Sequence, residues 1–446
     1  MHTSRKNLRK LAAVLLAGMV LTGCTRLVDL SSIGETLRLA ATPAPGFPAV
    51  GADLPQAEAA VGGANDFALR FTQKLLQEQN ADGNFLCSPC SAWLPLAALV
   101  NAADSERRPA LLEALGTAGL SSGDLNRAAA AMLAGLTEAQ QNSYRQEEGL
   151  ETHNPLSIAN ALFVRQDARI NTDFAKVFAQ DYGGASMAVD FASEDAASAI
   201  NDWADEHTDG LIPEIVSPGG LDPQTVAALA NAIYFSDRWR WEFDENDTAP
   251  GTFYSPDGDV TAPFMLHDGE LLYCENSAVQ AVELPFVLGG SLVVLLPRNT
   301  DARALLSELS STQLADVLAS METRTGRLLL PRFEIETGVV GLNSVLGELG
   351  IPLFDFADPP LNGLVDGQSV FLSQTMQSAR IQVDEKGTTA AAVTLIAATG
   401  TALAPPTEPF EMNCDRPFAF LLLGDSADGL PQILFTGICA QPETAG

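Results

Sequence analysis

Six cysteines and four histidines are the side chains best suited to nucleophilic, acid–base or metal chemistry, yet their spacing supports none of it. His2, His153, His207 and His267 lie far apart, and no His-Glu-x-x-His, Gly-x-Ser-x-Gly or phosphate-loop pattern occurs. His207 follows Asp205 and Glu206 near an expected helix end, so a solvated charged face accounts for it. Acidic residues are so numerous that carboxylate pairs arise by chance. Cys87-Ser-Pro-Cys90 has redox spacing, but it falls where a strand meets a helix start and reads as two small core residues. Neither an enzyme nor a metal or organic cofactor is expected.

The unusual chemistry lies in a stretch without reactive groups. Asp384-Glu385-Lys386-Gly387 is followed by Thr388-Thr389-Ala390-Ala391-Ala392-Val393-Thr394, all small or β-branched. Such residues tolerate water as a loop and also suit a sheet. A segment able to do both can switch from loop to added strand. The plainer alternative is a flexible Ala/Thr linker.

Further motifs flank this stretch. Asn84-Phe85-Leu86-Cys87-Ser88-Pro89 lies near the front, and Asn231-Ala232-Ile233-Tyr234-Phe235 precedes Trp239 in the middle. Leu330-Pro331-Arg332-Phe333, Asp415-Arg416-Pro417-Phe418 and Leu434-Phe435-Thr436-Gly437 follow in order. Together they resemble the serpin family, from about residue 64 to Pro442. The resemblance implies an α+β serpin fold, with helices around a large mixed sheet and an exposed reactive-centre loop at about 385–410. It also implies a suicide-substrate inhibitor of serine proteases. In that mechanism the cut loop inserts into the central sheet and distorts the acyl-enzyme before water releases it. A non-inhibitory binding protein on the same fold is the alternative.

The resemblance assigns site residues one by one. Glu385, Gly387, Thr388, Ala390, Ala392 and Thr394 form the hinge, alternate residues from Thr388 facing inward. Thr389 stands where many inhibitory members have an acid, at an outward position. Family spacing puts the reactive bond at Thr401–Ala402, with Gly400 to Ala404 all candidates. Ser88, Ser91 and Asn231 match the sheet-opening region, and Trp239 the aromatic where the loop enters. Gln377 occupies the place of a family histidine; it can donate and accept hydrogen bonds but does not titrate. No Arg or Lys lies between Gly387 and Arg416, so the expected partner is an elastase-like or subtilisin-like protease, met by a monomer.

Residues 1–23 read as a leader. Arg5, Lys6, Arg9 and Lys10 precede an apolar run too short for a permanent span. Leu21-Thr22-Gly23-Cys24 resembles a bacterial lipobox, which implies acylation of Cys24 and export to the outer face of a membrane. An ordinary secretory signal is the alternative. Residues 24–63, rich in Pro, Ala and Gly, read as a flexible tether, 64–442 as one domain and 443–446 as a tail. The formal charge is −31, or near −35 without the leader's four bases, which excludes nucleic acid and polyanions as partners. The helical region 124–148 holds only Arg127 and Arg145, so no heparin-like cofactor is expected. If Phe420 pairs with Ile433, Cys414 falls opposite Cys439 and a disulfide can form. Cys274 is the expected free thiol.

The positioning elements follow from periodicity. Helices are expected over 67–79 after an Asn65 cap, and over 92–103, 128–140, 172–180, 196–208 and 303–320, with a short one at 341–349. Strands are expected at 156–164, 225–235, 280–284 and 291–296, and through most of the chain after residue 326. Thr225 to Phe235 is apolar throughout and so buried on both faces. Helices early and strands late indicate α+β.

Overall fold

Apolar side chains on both faces make Ala227–Phe235 a central strand, and a computed structural model of the chain places it inside a six-stranded sheet. The structure describes residues 37–39, 55–79, 82–144, 156–208, 210, 212–217, 219–235, 237–287, 289–388, 408–425 and 430–444. On one side Ala227–Phe235 pairs antiparallel with Leu156–Arg165, and on the other it pairs parallel with Gln374–Val383. Gly184–Val189 and Leu37–Leu39 continue the sheet one way, and Phe333–Gly341 closes it the other way.

The parallel seam matters most. Its register runs from Gln374↔Ala228 to Ala379↔Ile233 and stops there. Above Ala379 the strand Gln374–Val383 keeps only its partner Phe333–Gly341. Each side of the sheet has its own cover. Ala227, Leu229, Ile233 and Phe235 join the main core. Ala228 and Ala230 face a second core, built with Phe163, Met187, Met376 and the helix Ala196–His207. A nine-stranded sheet carries the hairpin Phe418–Asp425 and Pro431–Cys439 at one end, next to Phe85–Cys87.

Three expectations change. The first helix runs Pro55–Glu78, because Ala57, Ala60, Val61 and Ala64 extend its buried stripe. Asn65 is thus no cap. Its amide donates to Pro431 O at 2.8 Å and accepts from Ile433 N at 2.9 Å, tying the helix to the C-terminal hairpin. This helix and Leu37–Leu39 fall inside the stretch 24–63 read as tether, so part of that stretch is built into the fold. Residues 303–320 form two helices, Ala302–Glu308 and Ser311–Ala319, because Ser310 and Gln313 make a reciprocal capping box that starts the second.

The disulfide expectation also falls. Phe420 lies opposite Gly437, four residues from the assumed partner, which sets Phe418 opposite Cys439. Cys414 and Cys439 are buried free thiols, as are Cys87, Cys90 and Cys274. Cys24 lies outside the described residues.

Candidate functional site: the hinge and the seam

Val383 ends its strand, and the next five residues are held turn by turn at the mouth of the seam. The Asp384 carboxylate accepts from the backbone N–H of Lys386 at 2.9 Å and of Gly387 at 3.2 Å, and Asp384 N donates to Gly387 O at 3.0 Å. Gly387 has φ +150°, and a Cβ there would stand 2.1 Å from Asp237 O, so only glycine fits. Gly387 bridges to Arg238 in antiparallel sense. Thr388 is fully buried; its N–H donates to Asp237 O at 2.8 Å, and its hydroxyl accepts from Asp237 N at 3.0 Å. The hinge thus makes one antiparallel bridge just beyond the end of Ala227–Phe235.

Glu385 is the anchor beside it. Its carboxylate is almost fully buried, and it accepts from Arg332 Nε at 2.7 and 2.8 Å, from Arg332 Nη2 at 2.6 Å, and from the Thr248 hydroxyl at 2.5 Å. Burial pushes this carboxyl up, but the bonds from Arg332 and Thr248 outweigh it and hold it below the usual carboxylate range. Trp239 serves two purposes. It stacks on Phe286 with centroids 4.7 Å apart, and its Nε1–H donates to Asp384 O at 2.8 Å. Its own N–H donates to Lys386 O, and Phe243 N–H to Glu385 O, both at 2.9 Å.

Lower in the seam the structure brings Ser88, Ser91 and Gln377 together. Gln377 Oε1 accepts from Ser88 N at 3.1 Å, and its Nε2 donates to Ser88 O at 2.7 Å and to Ser91 Oγ at 2.8 Å. Ser88 Oγ donates in turn to Leu434 O at 2.7 Å. All three residues are buried. A neutral amide therefore joins the strand to the start of the helix Pro89–Leu99 without a titrating group. Asn231 is in register with Gln377 but bonds away from it, its Nδ2 donating to Asn160 Oδ1.

Of the hinge residues, Ala390, Ala392 and Thr394 lie outside the described residues, as does the reactive bond Thr401–Ala402. Residues missed from the sequence are Arg332, Asp237, Thr248 and Asn160. Arg332 sat within a quoted motif, but nothing in one chain pairs it with a residue 53 positions on. The redox reading of Cys87 and Cys90 has no support: burial pushes their thiols up to about 11 and about 12. His207 is no solvated face. It is half-buried on Trp203, with ring centroids 4.7 Å apart, and burial lowers its pKa.

Comparison with known proteins agrees with this architecture. Residues 62–442 match the family described as Serpin (serine protease inhibitor). The chain belongs to the serpin family. Antitrypsin of Bombyx mori is 30% identical over 384 residues, covering 84% of this chain and 92% of that protein. Neuroserpin of Homo sapiens is 29% identical, covering 83% and 88%. Among solved structures, a thermophilic serpin, tengpin, in its native state superposes with a TM-score of 0.72 at 25% identity, over 90% of this chain and 97% of that one. The serpin family provides inhibitors rather than catalysts, in keeping with relatives named antitrypsin and antichymotrypsin.

Proposed function

We propose that this serpin is a suicide-substrate inhibitor of elastase-like or subtilisin-like serine proteases. The observation that carries the reading is the seated hinge. Gly387 and Thr388 already pair with Arg238 and Asp237, at the open top of a parallel seam. Continuing that pairing one residue at a time, Ala390 faces Phe235, Ala392 faces Ile233 and Ala398 faces Ala227, the last residue of the strand. Thr401 then emerges three positions beyond the strand's lower end. A protease attached there is carried the length of the sheet, roughly 50 Å at about 3.3 Å per residue.

The chemistry is the protease's own. Its serine oxygen attacks the Thr401 carbonyl carbon, the Thr401–Ala402 amide breaks, and the new Ala402 amine leaves with a proton. Water would complete hydrolysis, but insertion competes with it, because an antiparallel strand between two parallel neighbours gains a ladder of hydrogen bonds on each side. Small inward residues at 388, 390 and 392 keep that step free of steric and charge cost. Trypsin-like pockets need a basic residue, and no Arg or Lys lies between Gly387 and Arg416.

Export on a lipid anchor at Cys24, to the outer face of a bacterial membrane, belongs to the same proposal. Leu37–Leu39 is built into the sheet edge, so the segment from Cys24 to Leu37 spans at most about 45 Å.

Incubation with elastase, subtilisin, chymotrypsin and trypsin, followed by denaturing gels, tests the inhibitor. A stable complex with elastase or subtilisin, releasing a fragment that begins at Ala402, is expected. Rapid complex formation with trypsin refutes the specificity. Cleavage that leaves thermal stability unchanged points instead to a non-inhibitory serpin.

A further inference from the structure

The segment that wraps the hinge shows one chemistry to the fold and another to solvent. On its inner side, Trp239 Nε1–H donates to Asp384 O, Trp239 N–H to Lys386 O, Phe243 N–H to Glu385 O and the Thr248 hydroxyl to Glu385. Trp239 and Phe243 are 2% and 4% exposed. Trp241 stands midway between them, where strand alternation would bury it too. A bend at Arg240 and Trp241 breaks the alternation and leaves Trp241 52% exposed. Among the described residues no hydrogen bond or ring contact holds its indole. A large ring left uncovered adds little to folding, but it carries binding energy when a partner covers it.

Carboxylates crowd the same stretch. Glu242, Asp244, Glu245 and Asp247 are all exposed, and no Lys or Arg occurs from Trp241 to Pro297. Arg238 lies 3.9 Å from Glu242 and Lys386 3.5 Å from Glu245, so both of these bases are already engaged. Asp244 and Asp247 have no basic partner among the described residues. Bonds from the backbone N–H and the side-chain amide of Asn246 hold the Asp244 carboxyl below the usual range, which keeps it charged. Arg240 is the one exposed base in 237–248. An aromatic face beside ionised carboxylates suits a guanidinium or ammonium group, which the ring attracts and the carboxylates pair with. Place matters as much as chemistry. The reactive loop starts beyond Thr388, which Asp237 of this same segment holds, so the rim lies at the loop's root.

We propose that Trp241, with Asp244 and Asp247, is a docking surface for an Arg- or Lys-bearing surface segment of the target protease, engaged in the encounter before the loop is cut. The proposal rests on the inhibitor reading and adds to it a selectivity determinant outside the reactive bond. Among proteases able to cleave an uncharged loop, those with basic residues beside the cleft are captured faster. The carboxylates steer the approach, and the indole supplies the buried anchor.

The test measures the second-order rate constant for inhibition of an elastase of high isoelectric point by the full chain, with complexes counted on denaturing gels. Acylation follows a reversible encounter, so weaker docking lowers that constant in proportion. Trp241→Ala should lower it about tenfold at low salt, and Trp241→Phe much less. Asp244→Asn combined with Asp247→Asn should lower it and flatten its fall with added salt. None of these changes should alter the stoichiometry of inhibition, the unfolding midpoint or tryptic cleavage after Lys386, because the side chains face solvent. A wild-type rate for Trp241→Ala overturns the docking surface and leaves the inhibitor reading standing. A slower rate joined to a lower midpoint or to faster cleavage after Lys386 assigns Trp241 to the packing of the hinge and also overturns docking. So does a wild-type dimer that Trp241→Ala dissociates, which would give the face to a second copy. Absence of any wild-type complex with elastase or subtilisin removes the inhibitor reading, and the docking surface with it.

Discussion

Replacing Arg332 by Met keeps most of the side-chain stem and removes the cation that holds Glu385. The Glu385 carboxylate is 4% exposed, and it loses contacts of 2.6, 2.7 and 2.8 Å, keeping only the Thr248 hydroxyl among those side chains. Breaking a fully buried pair from one side costs about 3–5 kcal/mol. Arg332 is 36% exposed, so solvent screens part of the pair, and about 2–3 kcal/mol is the fair figure. For a domain of about 380 residues, spanning 62–442, the unfolding entropy turns this into a drop of about 3 °C in Tm. The pH dependence gives the test its sign. The folded pKa of Glu385 lies below its unfolded value near 4.5. Its contribution is therefore complete above that value and is lost as pH falls through the folded pKa. Arg332→Met lacks the contribution at any pH. Calorimetric scans of the intact protein should show the full gap at pH 7 and 6, and a closing gap below about pH 4. Equal Tm values at neutral pH would refute the anchoring role. A gap that stays constant into strong acid would show that the loss comes from packing of the stem.

Three other perturbations probe the same frame. Gly387→Ala places a Cβ against Asp237 O and should release the hinge, read by mass spectrometry as faster tryptic cleavage after Lys386; an unchanged rate contradicts the steric argument. Gln377→Leu leaves Ser88 N, Ser88 O and Ser91 Oγ without their amide partner and should cost about 2–4 kcal/mol in urea unfolding, whereas a change under 1 kcal/mol would mean that water replaces the amide. His207 has a folded pKa below its unfolded 6.5, so its share of stability is complete above pH 6.5 and falls as acid protonates the unfolded chain. His207→Phe preserves the stacking on Trp203 and should reduce the loss of Tm between pH 7 and 5; His267, shifted in the same direction, keeps the remainder, and an unreduced loss excludes His207.

Glu385 and Arg332 show where the sequence stops being informative. Thr388 to Thr394 read as a loop able to become a strand, because small β-branched and alanine side chains suit both environments; of these, only Thr388 falls among the described residues. The strand Ala227–Phe235 is legible because an apolar run without charge must be buried on both faces. The order of the quoted motifs, local in each case, sufficed for the fold family. Pairings across the chain are a different matter. Register within the hairpin Phe418–Asp425 and Pro431–Cys439 differs from the even alternation that would have joined Cys414 to Cys439: Phe420 meets Gly437, and a bulge falls between Leu422 and Leu423. Asn65 reads equally well as a cap and as a helix interior until Pro431 and Ile433 arrive from the far end of the chain. The cage around Glu385 and the bond between Asn231 and Asn160 likewise exist only where separate strands meet. Composition and period report how each residue partitions between water and core; which donor meets which acceptor depends on three-dimensional register, and only the tertiary structure decides that.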